Sequence, residues 1–277
     1  PAMKFLKSFN LKNKSLAKGR VGVIGGGNSA MDAARVAIRQ KGVDSVTVFY
    51  RRTKAEMPAH EQEIGAEIDE GIKLRTLMSP VKILHKDGKL TGVRFIRNEL
   101  GEPDASGRRK PVPIPGSEVD VPLDTLIVAI SEQPYTRGIQ SLNRTKWGTI
   151  SVNEETLATS QPGVFAAGDV VTGPATIIDA LAVGKKAAIM IDRYVHGRNM
   201  KVLPKLRLPS VYIEPPQMPE DDEIPGESKR VEIPHLAVEC RCGNFHEVEL
   251  TISEEQAMAE ARRCLRCDLE FTSPQGN

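Results

Sequence analysis

The four cysteines of this chain all lie near its carboxyl end, in two close pairs. They read Cys240-Arg-Cys242 and Cys264-Leu-Arg-Cys267, and the remaining sequence contains none. Thiolates in this arrangement form a ligand set for an iron–sulfur cluster or for Zn²⁺, and their spacing does not separate the two. Free or separately used thiols are a third interpretation. The sequence therefore predicts a thiol-rich centre whose occupant must be argued from the rest of the chain.

A glycine-rich turn near the amino end predicts a dinucleotide site. An apolar run at residues 21–24 leads into Gly25, and apolar residues recur at helical spacing over 29–39. Gly25-x-Gly27-x-x-Ala30 matches the dinucleotide fingerprint, in which the first glycine permits a tight turn and the second admits the pyrophosphate. The helix N-terminus offers N–H donors to the phosphates. The predicted cofactor-binding residues here are Gly25, Gly26, Gly27, Asn28, Ser29 and Ala30.

The residues after the second predicted strand bear on the choice between NAD and NADP. That strand, residues 45–50, is followed by Arg51 and Arg52, whereas a site for NAD usually carries an acidic residue there to bind the ribose 2′-hydroxyl. A guanidinium can grip a 2′-phosphate through two parallel hydrogen bonds. Arg51 and Arg52 therefore favour NADPH. The alternative is that both are ordinary surface residues.

Composition indicates a globular protein without a polyanionic partner. Hydrophobic residues make up 40% of the chain, charged residues 27%, and the formal net charge is +2. These values support a packed core and give no bias towards nucleic acid. No apolar stretch reaches the length of about 18–20 residues that a membrane span needs, and no signal peptide is visible. Cysteines without a secretory signal predict a cytoplasmic protein.

Alternating strand and helix patterns predict an α/β fold. The strand–turn–helix–strand unit over residues 21–50 is typical of a parallel sheet, and a continuous apolar strand follows at 123–130. Asp87-Gly88 predicts a hairpin turn between strands at 81–85 and 90–97.

Further elements follow from the same patterns. Residues 59–70 are predicted to form a helix whose glutamates make a solvated face, namely Glu61, Glu63, Glu67 and Glu70. The other predicted elements are a strand at 72–77, an exposed loop at 99–115, a strand at 163–169, a helix at 175–194 and a final helix from Ser253 to Cys264. Beyond residue 201, frequent prolines predict an extended tail rather than a core.

Three separated motifs, in the expected order, make the chain resemble a known family. They read Val-Ile-Gly-Gly-Gly-Asn-Ser-Ala-Met-Asp-Ala-Ala-Arg at 23–35, Tyr-Arg-Arg-Thr-Lys-Ala-Glu-Met-Pro at 50–58 and Val-Phe-Ala-Ala-Gly-Asp-Val-Val-Thr-Gly-Pro-Ala-Thr at 164–176. They resemble the small (beta) subunit of NADPH-dependent glutamate synthase and related FAD-dependent pyridine nucleotide oxidoreductases. The similarity runs from about residue 3 to 197, and the ending at 260–268 is similar to endings of larger members.

The resemblance implies two interleaved domains, one that binds NADPH and one that binds FAD and is split around it. It places Gly168 and Asp169 at the ribityl–pyrophosphate region of FAD. It also directs a helix N-terminus formed by Ala175, Thr176 and Ile177 towards the flavin ring, where the positive end of the helix dipole stabilises a reduced flavin.

The sequence lacks one part of the family's FAD site. In the family the FAD half begins with its own glycine-rich turn, upstream of the NADPH domain, whereas residues 1–20 here contain a single glycine, Gly19. We therefore expect FAD binding to require a half that this chain does not contain. The chain is accordingly expected to be part of a larger polypeptide or a hetero-oligomer. A smaller departure is Ser131, where relatives usually have glycine.

The predicted fold class is α/β. It comprises a Rossmann-like NAD(P)-binding domain of the glutathione/thioredoxin-reductase-like class, which has two dinucleotide-binding domains, together with a partial FAD domain and an extended cysteine-containing tail. The predicted divisions are a lead-in segment of the split FAD domain at 1–17, the NADPH-binding domain at 18–137, the C-terminal part of the FAD domain at 138–200 and the Pro-rich tail at 201–277.

The sequence thus predicts an electron-transfer oxidoreductase subunit of the glutamate-synthase small-subunit type. It would pass hydride from NADPH to FAD and electrons on to iron–sulfur centres, a ferredoxin-like protein or another redox partner subunit. That electron path favours an iron–sulfur cluster over Zn²⁺ at the four cysteines, and it assigns no catalytic side chain, because the cofactors carry the chemistry. The alternatives are a flavin-free NADPH-binding or subunit-docking module and a thioredoxin-reductase-like disulfide reductase. The latter is disfavoured because the predicted nucleotide domain contains no Cys-x-x-Cys.

Overall fold

The chain folds into two compact units. A computed structural model describes residues 1–104, 107–130, 134–201 and 230–262. Unit 1 comprises Pro1–Ile130 with Lys229–Arg263, and unit 2 comprises Ser131–Ser228 with Cys264–Asn277. The division after Ile130 comes before the boundary expected at residue 137, and the part of the tail from residue 230 belongs to unit 1.

Helices and strands alternate in the first part of unit 1, six strands then follow one another, and two helices lie in the described part of unit 2. The elements are α1 (Ala2–Lys12), β1 (Gly19–Ile24), α2 (Asn28–Ile38), β2 (Val43–Phe49), α3 (Glu61–Asp69), β3 (Lys73–Arg75), β4 (Met78–Lys86), β5 (Lys89–Pro103), β6 (Arg109–Pro113), β7 (Val119–Pro122), β8 (Thr125–Val128), α4 (Asp169–Thr172), α5 (Ile177–Val195), α6 (Val238–Arg241) and α7 (Glu254–Arg262). A short 3-10 helix, Lys54–Glu56, lies between β2 and α3.

The central sheet of unit 1 is parallel and confirms the predicted fold class. Its strand order is β3-β2-β1-β8, and each neighbouring pair runs parallel. The connections β1–α2–β2 and β2–α3–β3 are crossovers of the kind that parallel strands require. The carboxyl ends of β1 and β8 therefore lie side by side, which is the edge where such sheets bind nucleotides.

A second, antiparallel sheet corrects the prediction of an exposed loop at 99–115. β5 continues to Pro103 and pairs with β6, while β4 and β7 pair with other parts of β5. The prolines misled the prediction, because Pro111 and Pro113 lie on β6. Among the described strands β6 pairs only with β5, and an edge strand tolerates proline. The predicted hairpin turn at Asp87-Gly88 is confirmed, since both residues have positive φ angles of 51° and 72°.

Two apolar clusters hold unit 1 together. In the first, the small face of α2 packs on the parallel sheet through Ala30, Ala33, Ala34 and Ala37. In the second, Phe49 of β2 and Phe95 of β5 stack with ring centroids 4.2 Å apart, and both are fully buried. The second cluster fixes the antiparallel sheet against the nucleotide-binding sheet. The amino-terminal residues form α1, which the sequence analysis missed, and its Phe5 is buried in the first cluster.

Over residues 134–201, the described part of unit 2, the regular structure is α5 and the short helix α4. Residues 163–169 do not form the predicted strand, because the only pairing there within the described residues is an isolated bridge between Ala158 and Phe165. A strand needs a neighbour along its length, and in the described part of the chain this segment has only that single bridge. α5 confirms the predicted long helix, but Ile177, Ile178 and Leu181 on it are 80%, 72% and 56% exposed.

Residues 230–262 form a small C-terminal lobe within unit 1. A bridge between His235 and Glu249 closes it, and the Val231 amide donates to the carboxylate of Glu260 on α7 at 3.0 Å. α7 confirms the predicted final helix over its described length. None of the helices in the described ranges has the length and apolar content that crossing a bilayer requires.

Glu67 of α3 gives the folding of unit 1 a pH dependence. Burial raises the pKa of Glu67 to about 8, with Arg35 opposing the shift and the neighbouring carboxylates of Glu70 and Glu63 adding to it. In the unfolded chain the same group titrates at about 4.3. The folded protein therefore holds an extra proton between these values. The associated stability is fully present below the unfolded pKa and is lost as the pH rises through about 8.

We expect Glu67→Gln to increase the free energy of unfolding at pH 7.5 by about 1–3 kcal/mol, with no difference from the parent near pH 4. Urea unfolding across this pH range measures it. Glu61→Gln is the matched control, because Glu61 lies on the same helix and is exposed. If the difference in the free energy of unfolding between the parent and Glu67→Gln is the same at every pH, Glu67 does not have the raised pKa.

Candidate functional site

The turn between β1 and α2 accepts only glycine at its first position. Gly25 has φ +151°, and a Cβ atom there would lie 2.4 Å from the Ala129 carbonyl oxygen. The Gly25 amide donates to the Phe49 carbonyl at 3.1 Å, so the turn is held between β2 and the end of β8. A Cβ on Gly26 would clash with the Tyr50 ring at 2.5 Å. These contacts bring the backbone close to the carboxyl edge of the sheet.

Gly27 instead leaves open space at the start of α2. A Cβ there would meet no atom closer than Pro58 Cγ at 3.8 Å, and φ is an ordinary −97°. Gly27 is the N-cap and contributes no side-chain cap, while Asn28 and Ser29 lie exposed in the first turn. Ala30 is buried against the sheet. The arrangement suits an anion above Gly27, because helix N-termini offer N–H donors and a positive dipole end.

The two arginines after β2 have different environments. Arg51 is exposed, whereas Arg52 is only 2% exposed. The Arg52 Nε donates to the Arg109 carbonyl at 2.6 Å, and its Nη2 pairs with Asp104 Oδ2 at 2.6 Å. Arg52 therefore braces the strands β5 and β6 and is already paired. Of the two residues predicted for the 2′-phosphate, only Arg51 has its guanidinium available.

Unit 2 contains the residues that the resemblance assigns to FAD. Gly168, with φ +71°, is the N-cap of the short helix α4, and Asp169 begins that helix and is exposed. Thr176 caps α5 through a capping box, in which its hydroxyl oxygen accepts from the Asp179 amide at 3.1 Å. Hydrogen bonds from the hydroxyl and amide of Thr176 lower the pKa of Asp179. Ala175 and Ile177 are exposed on either side of the cap.

The chemistry of these residues can be compared with what a flavin nucleotide requires. The described chain has a single glycine-rich turn following a parallel strand, and that turn belongs to unit 1. The α5 N-terminus and the exposed Ile177 and Ile178 are compatible with contact to a flat apolar ring, but no phosphate-binding turn accompanies them in the described part of unit 2. The residues present therefore fit part of an FAD site.

Two of the four predicted thiol ligands lie in the described residues. Cys240 is within α6 and exposed, and Cys242 ends that helix and is half-buried. Residues two apart on a helical turn are rotated by about 200° around its axis, so their side chains leave in different directions. Thiolates are suitable ligands for an iron–sulfur cluster or Zn²⁺. In the folded turn, however, the side chains of Cys240 and Cys242 do not point towards a common ion. Within the described ranges no three potential ligands cluster, and Cys264 and Cys267 lie outside them.

A buried ionic cluster between α2, α3 and the C-terminal lobe was not predicted. The Glu70 side chain is fully buried and pairs with Arg35 at 2.9 Å, Arg39 at 2.7 Å and Arg241 at 3.2 Å. Burial alone raises the pKa of Glu70, but the hydrogen bonds from Arg39 and Arg35 outweigh it and lower the pKa. The interpretation of the α3 glutamates as a solvated face is thus wrong for Glu67 and Glu70, because both are buried. The partners of Glu70 come from α2 and from the C-terminal lobe, distant parts of the chain that the helical pattern of α3 does not reveal.

Comparisons with known proteins agree with this architecture. Residues 3–184 match the family described as pyridine nucleotide-disulphide oxidoreductase. The beta subunit of NADP(+)-dependent formate dehydrogenase from Moorella thermoacetica is 40% identical over 275 residues, which cover 96% of this chain and 38% of that protein. The glutamate synthase (NADPH) small chain of Escherichia coli (strain K12) is 38% identical over 61% of this chain and 37% of its own length. Thioredoxin reductase from Lactococcus lactis shares the fold, with a TM-score of 0.51, 24% identity and coverage of 66% of this chain and 55% of that one.

These comparisons confirm the resemblance and the fold class that the motifs predicted. The chain spans less than half the length of the two curated relatives, 38% of one and 37% of the other. The match to the formate dehydrogenase subunit covers nearly the whole chain and therefore extends into the C-terminal lobe.

Replacing Gly25 is expected to lower the stability of the protein, whereas replacing Gly27 is expected to lower its affinity for NADPH. Gly25→Ala forces the backbone away from the Ala129 carbonyl and should cost about 2 kcal/mol of stability or more. Gly27→Ala has room for its methyl group within the protein, so the unfolding midpoint should hardly move, whereas NADPH affinity should fall about tenfold or more. Thermal unfolding and calorimetric titration separate the two effects. Parent-like NADPH binding by Gly27→Ala would show that the pyrophosphate does not lie at this turn.

Proposed function

Because the chain belongs to the pyridine nucleotide-disulphide oxidoreductase family, we propose that it is the NADPH-binding and partial FAD-binding portion of an electron-transfer oxidoreductase of the glutamate-synthase small-subunit type. When bound, NADPH supplies a hydride, FAD accepts it, and the electrons pass on to iron–sulfur centres or a redox partner such as a ferredoxin-like protein. The role of this chain is to bind and orient the nicotinamide nucleotide and to supply one side of the flavin site.

The observation that carries the proposal is the turn over Gly25, Gly26 and Gly27. Protein atoms exclude a side chain at the first two positions, whereas space remains open above Gly27. A phosphate in that space would meet the exposed N-terminus of α2, with Asn28 and Ser29 at its edge. The exposed Arg51 follows β2 at the same edge of the sheet and supplies a cation for a 2′-phosphate. Together these features favour NADPH over NADH.

The flavin part of the proposal rests on unit 2 and requires a complement. Gly168, Asp169 and the α5 N-terminus match the family positions for FAD, and the apolar residues at the start of α5 are largely exposed. A second glycine-rich half, from a longer polypeptide or another subunit, would supply the phosphate site and cover this surface. The two curated relatives are more than twice as long as the matched region, which is compatible with such a complement.

The alternative of a flavin-free NADPH-binding or docking module is supported by the same incomplete flavin site. The disulfide-reductase alternative is weaker. Cys240 and Cys242 are held beside the C-terminal ends of α2 and α3, and the 11 residues of α2 separate that end from the glycine-rich turn by about 16 Å. Thiols that exchange electrons directly with a nicotinamide or flavin are expected at the opposite edge of the sheet.

The test is anaerobic reconstitution of the chain, alone and with the amino-terminal glycine-rich half of a longer relative. We expect NADPH to bind in both samples and to bleach a flavin absorption band only in the second, with stoichiometric iron in the reconstituted chain. NADPH binding without flavin in either sample would favour the flavin-free module. An absence of NADPH binding would refute the whole proposal.

Arg51 and Arg52 should differ in their effect on cofactor choice. Arg51→Ala is expected to weaken NADPH binding by about tenfold or more while leaving NADH binding nearly unchanged, because only the 2′-phosphate loses a partner. Arg52→Ala removes a buried partner of Asp104 and should lower stability, with any loss of affinity equal for the two nucleotides. The ratio of the two dissociation constants is the measurement. An unchanged ratio in Arg51→Ala would rule out this residue as the phosphate ligand.

A further inference from the structure

Asn98 on β5 forms a hydrogen bond to the backbone of Arg51. Asn98 is only 3% exposed, and its Nδ2 donates to the Arg51 carbonyl at 2.9 Å and to Ser79 Oγ on β4 at 2.8 Å. Because a carbonyl can only accept a hydrogen bond, the contact with Arg51 fixes which end of the amide faces that residue. Asn98 thus joins the antiparallel sheet to the residue that we propose as the ligand of the 2′-phosphate.

The oxygen of the same amide contributes nothing to the fold. Asn98 Oδ1 is buried and has no hydrogen-bond partner among the described residues. A buried acceptor without a partner lowers stability. An asparagine is therefore tolerated at this position because of the two bonds that its Nδ2 donates.

A backbone connection through Leu77 links Asn98 to Arg52 as well. Leu77 has a φ angle of +57°, in the left-handed region that bulky residues seldom adopt. Its amide donates to the Arg52 carbonyl at 3.0 Å, and its carbonyl accepts from the Asn98 amide at 2.8 Å. Strained backbone persists where its surroundings hold it, and it is concentrated at functional sites. The bonds on both sides of Leu77 hold it in this conformation.

The residues on either side of Arg51 are also fixed. The Tyr50 carbonyl accepts from the Met78 amide at 2.9 Å, and the Tyr50 ring lies against Gly26 of the glycine-rich turn. Arg52 is buried. Arg51 therefore exposes its side chain from a backbone that is held before it, after it and at its own carbonyl.

A fixed backbone lowers the cost of binding a phosphate through the Arg51 guanidinium. Ordering a long side chain on binding costs free energy, and a ligand-binding group that is already oriented loses less of it. The bond from Asn98 helps to set the direction in which the Arg51 side chain leaves the backbone before a nucleotide arrives. NADH has a 2′-hydroxyl instead of the phosphate, so it gains nothing from this orientation.

We propose that Asn98 is a positioning residue for NADPH, which orients Arg51 through its carbonyl and thereby increases the preference for NADPH over NADH. Asn98 acts on the nucleotide through Arg51 and not by direct contact. The inference rests on the proposed function for Arg51 as the ligand of the 2′-phosphate, and it adds the residue through which the antiparallel sheet affects the choice of cofactor.

The experiment measures the dissociation constants of NADPH and NADH by calorimetric titration of the chain. Asn98→Leu has a similar shape, removes both donated bonds and introduces no charge. We expect it to weaken NADPH binding about fivefold and to leave NADH binding nearly unchanged. The ratio of the NADH constant to the NADPH constant should therefore fall. A purely structural role of Asn98 would weaken both nucleotides equally or lower the unfolding temperature alone.

Ser79→Ala is the matched control. It removes the other partner of Asn98 Nδ2 and leaves the bond to the Arg51 carbonyl in place, so the ratio of the dissociation constants should equal that of the parent. If Asn98→Leu does not fold, Asn98→Ser replaces it, because the serine side chain ends one atom before the position of Nδ2. The expected fall of the ratio is the same.

The variant that combines Arg51→Ala with Asn98→Leu tests whether Asn98 acts through Arg51. If it does, adding Asn98→Leu to Arg51→Ala leaves the ratio unchanged, because the side chain that Asn98 positions is already absent. Independent effects would lower the ratio further in the combined variant. That result, a parent-like ratio in Asn98→Leu, or an equal fall of the ratio in Ser79→Ala overturns the proposal.

These outcomes are separate from a failure of the proposed function. If Arg51→Ala alone leaves the ratio unchanged, Arg51 does not bind the 2′-phosphate, and the assignment of Arg51 in the proposed function is lost together with this inference. If Arg51→Ala lowers the ratio and Asn98→Leu does not, only the role of Asn98 is lost.

Discussion

The structure of unit 1 depends on one buried carboxylate. Glu70 has no exposed side-chain surface and binds arginines from α2 and from the C-terminal lobe, two regions that are far apart in the sequence. A carboxylate in such a place is tolerated only because its charge is matched, since an unpaired buried charge is very costly. The pairing fixes the ends of α2 and α3 relative to each other. It thereby also fixes the start of α2, where the glycine-rich turn offers its N–H groups.

The nucleotide site was predictable because its requirements are local. Gly25 needs an unusual backbone conformation and a close approach to a neighbouring strand, and both needs show in the sequence as glycine followed by a helical pattern. The hairpin at Asp87-Gly88 was predictable for the same reason. In contrast, the structural role of Arg52 could not be inferred from the sequence. Its partners Asp104 and Arg109 belong to a segment whose prolines suggested a loop.

The C-terminal lobe shows where sequence reasoning stops. Its prolines and cysteines indicated an extended tail with a metal centre, and nothing in the pattern Cys-Arg-Cys indicated that the middle residue would be the buried one. Burial of Arg241 depends on acidic residues of α3, which the helical pattern alone assigned to a solvated face. Apolar residues that pack in a core recur at the spacing of a helix or strand and can be recognised in a sequence. The two partners of a long-range ion pair have no such regular spacing.

The antiparallel sheet has an additional property that follows from β6. This strand is bonded to β5 on one side, and its residues include Pro111 and Pro113, which have no backbone N–H to donate. An incoming strand from another molecule would therefore lack donors at these positions. The prolines that obscured the strand in the sequence thus protect the margin of the sheet against aggregation by strand addition.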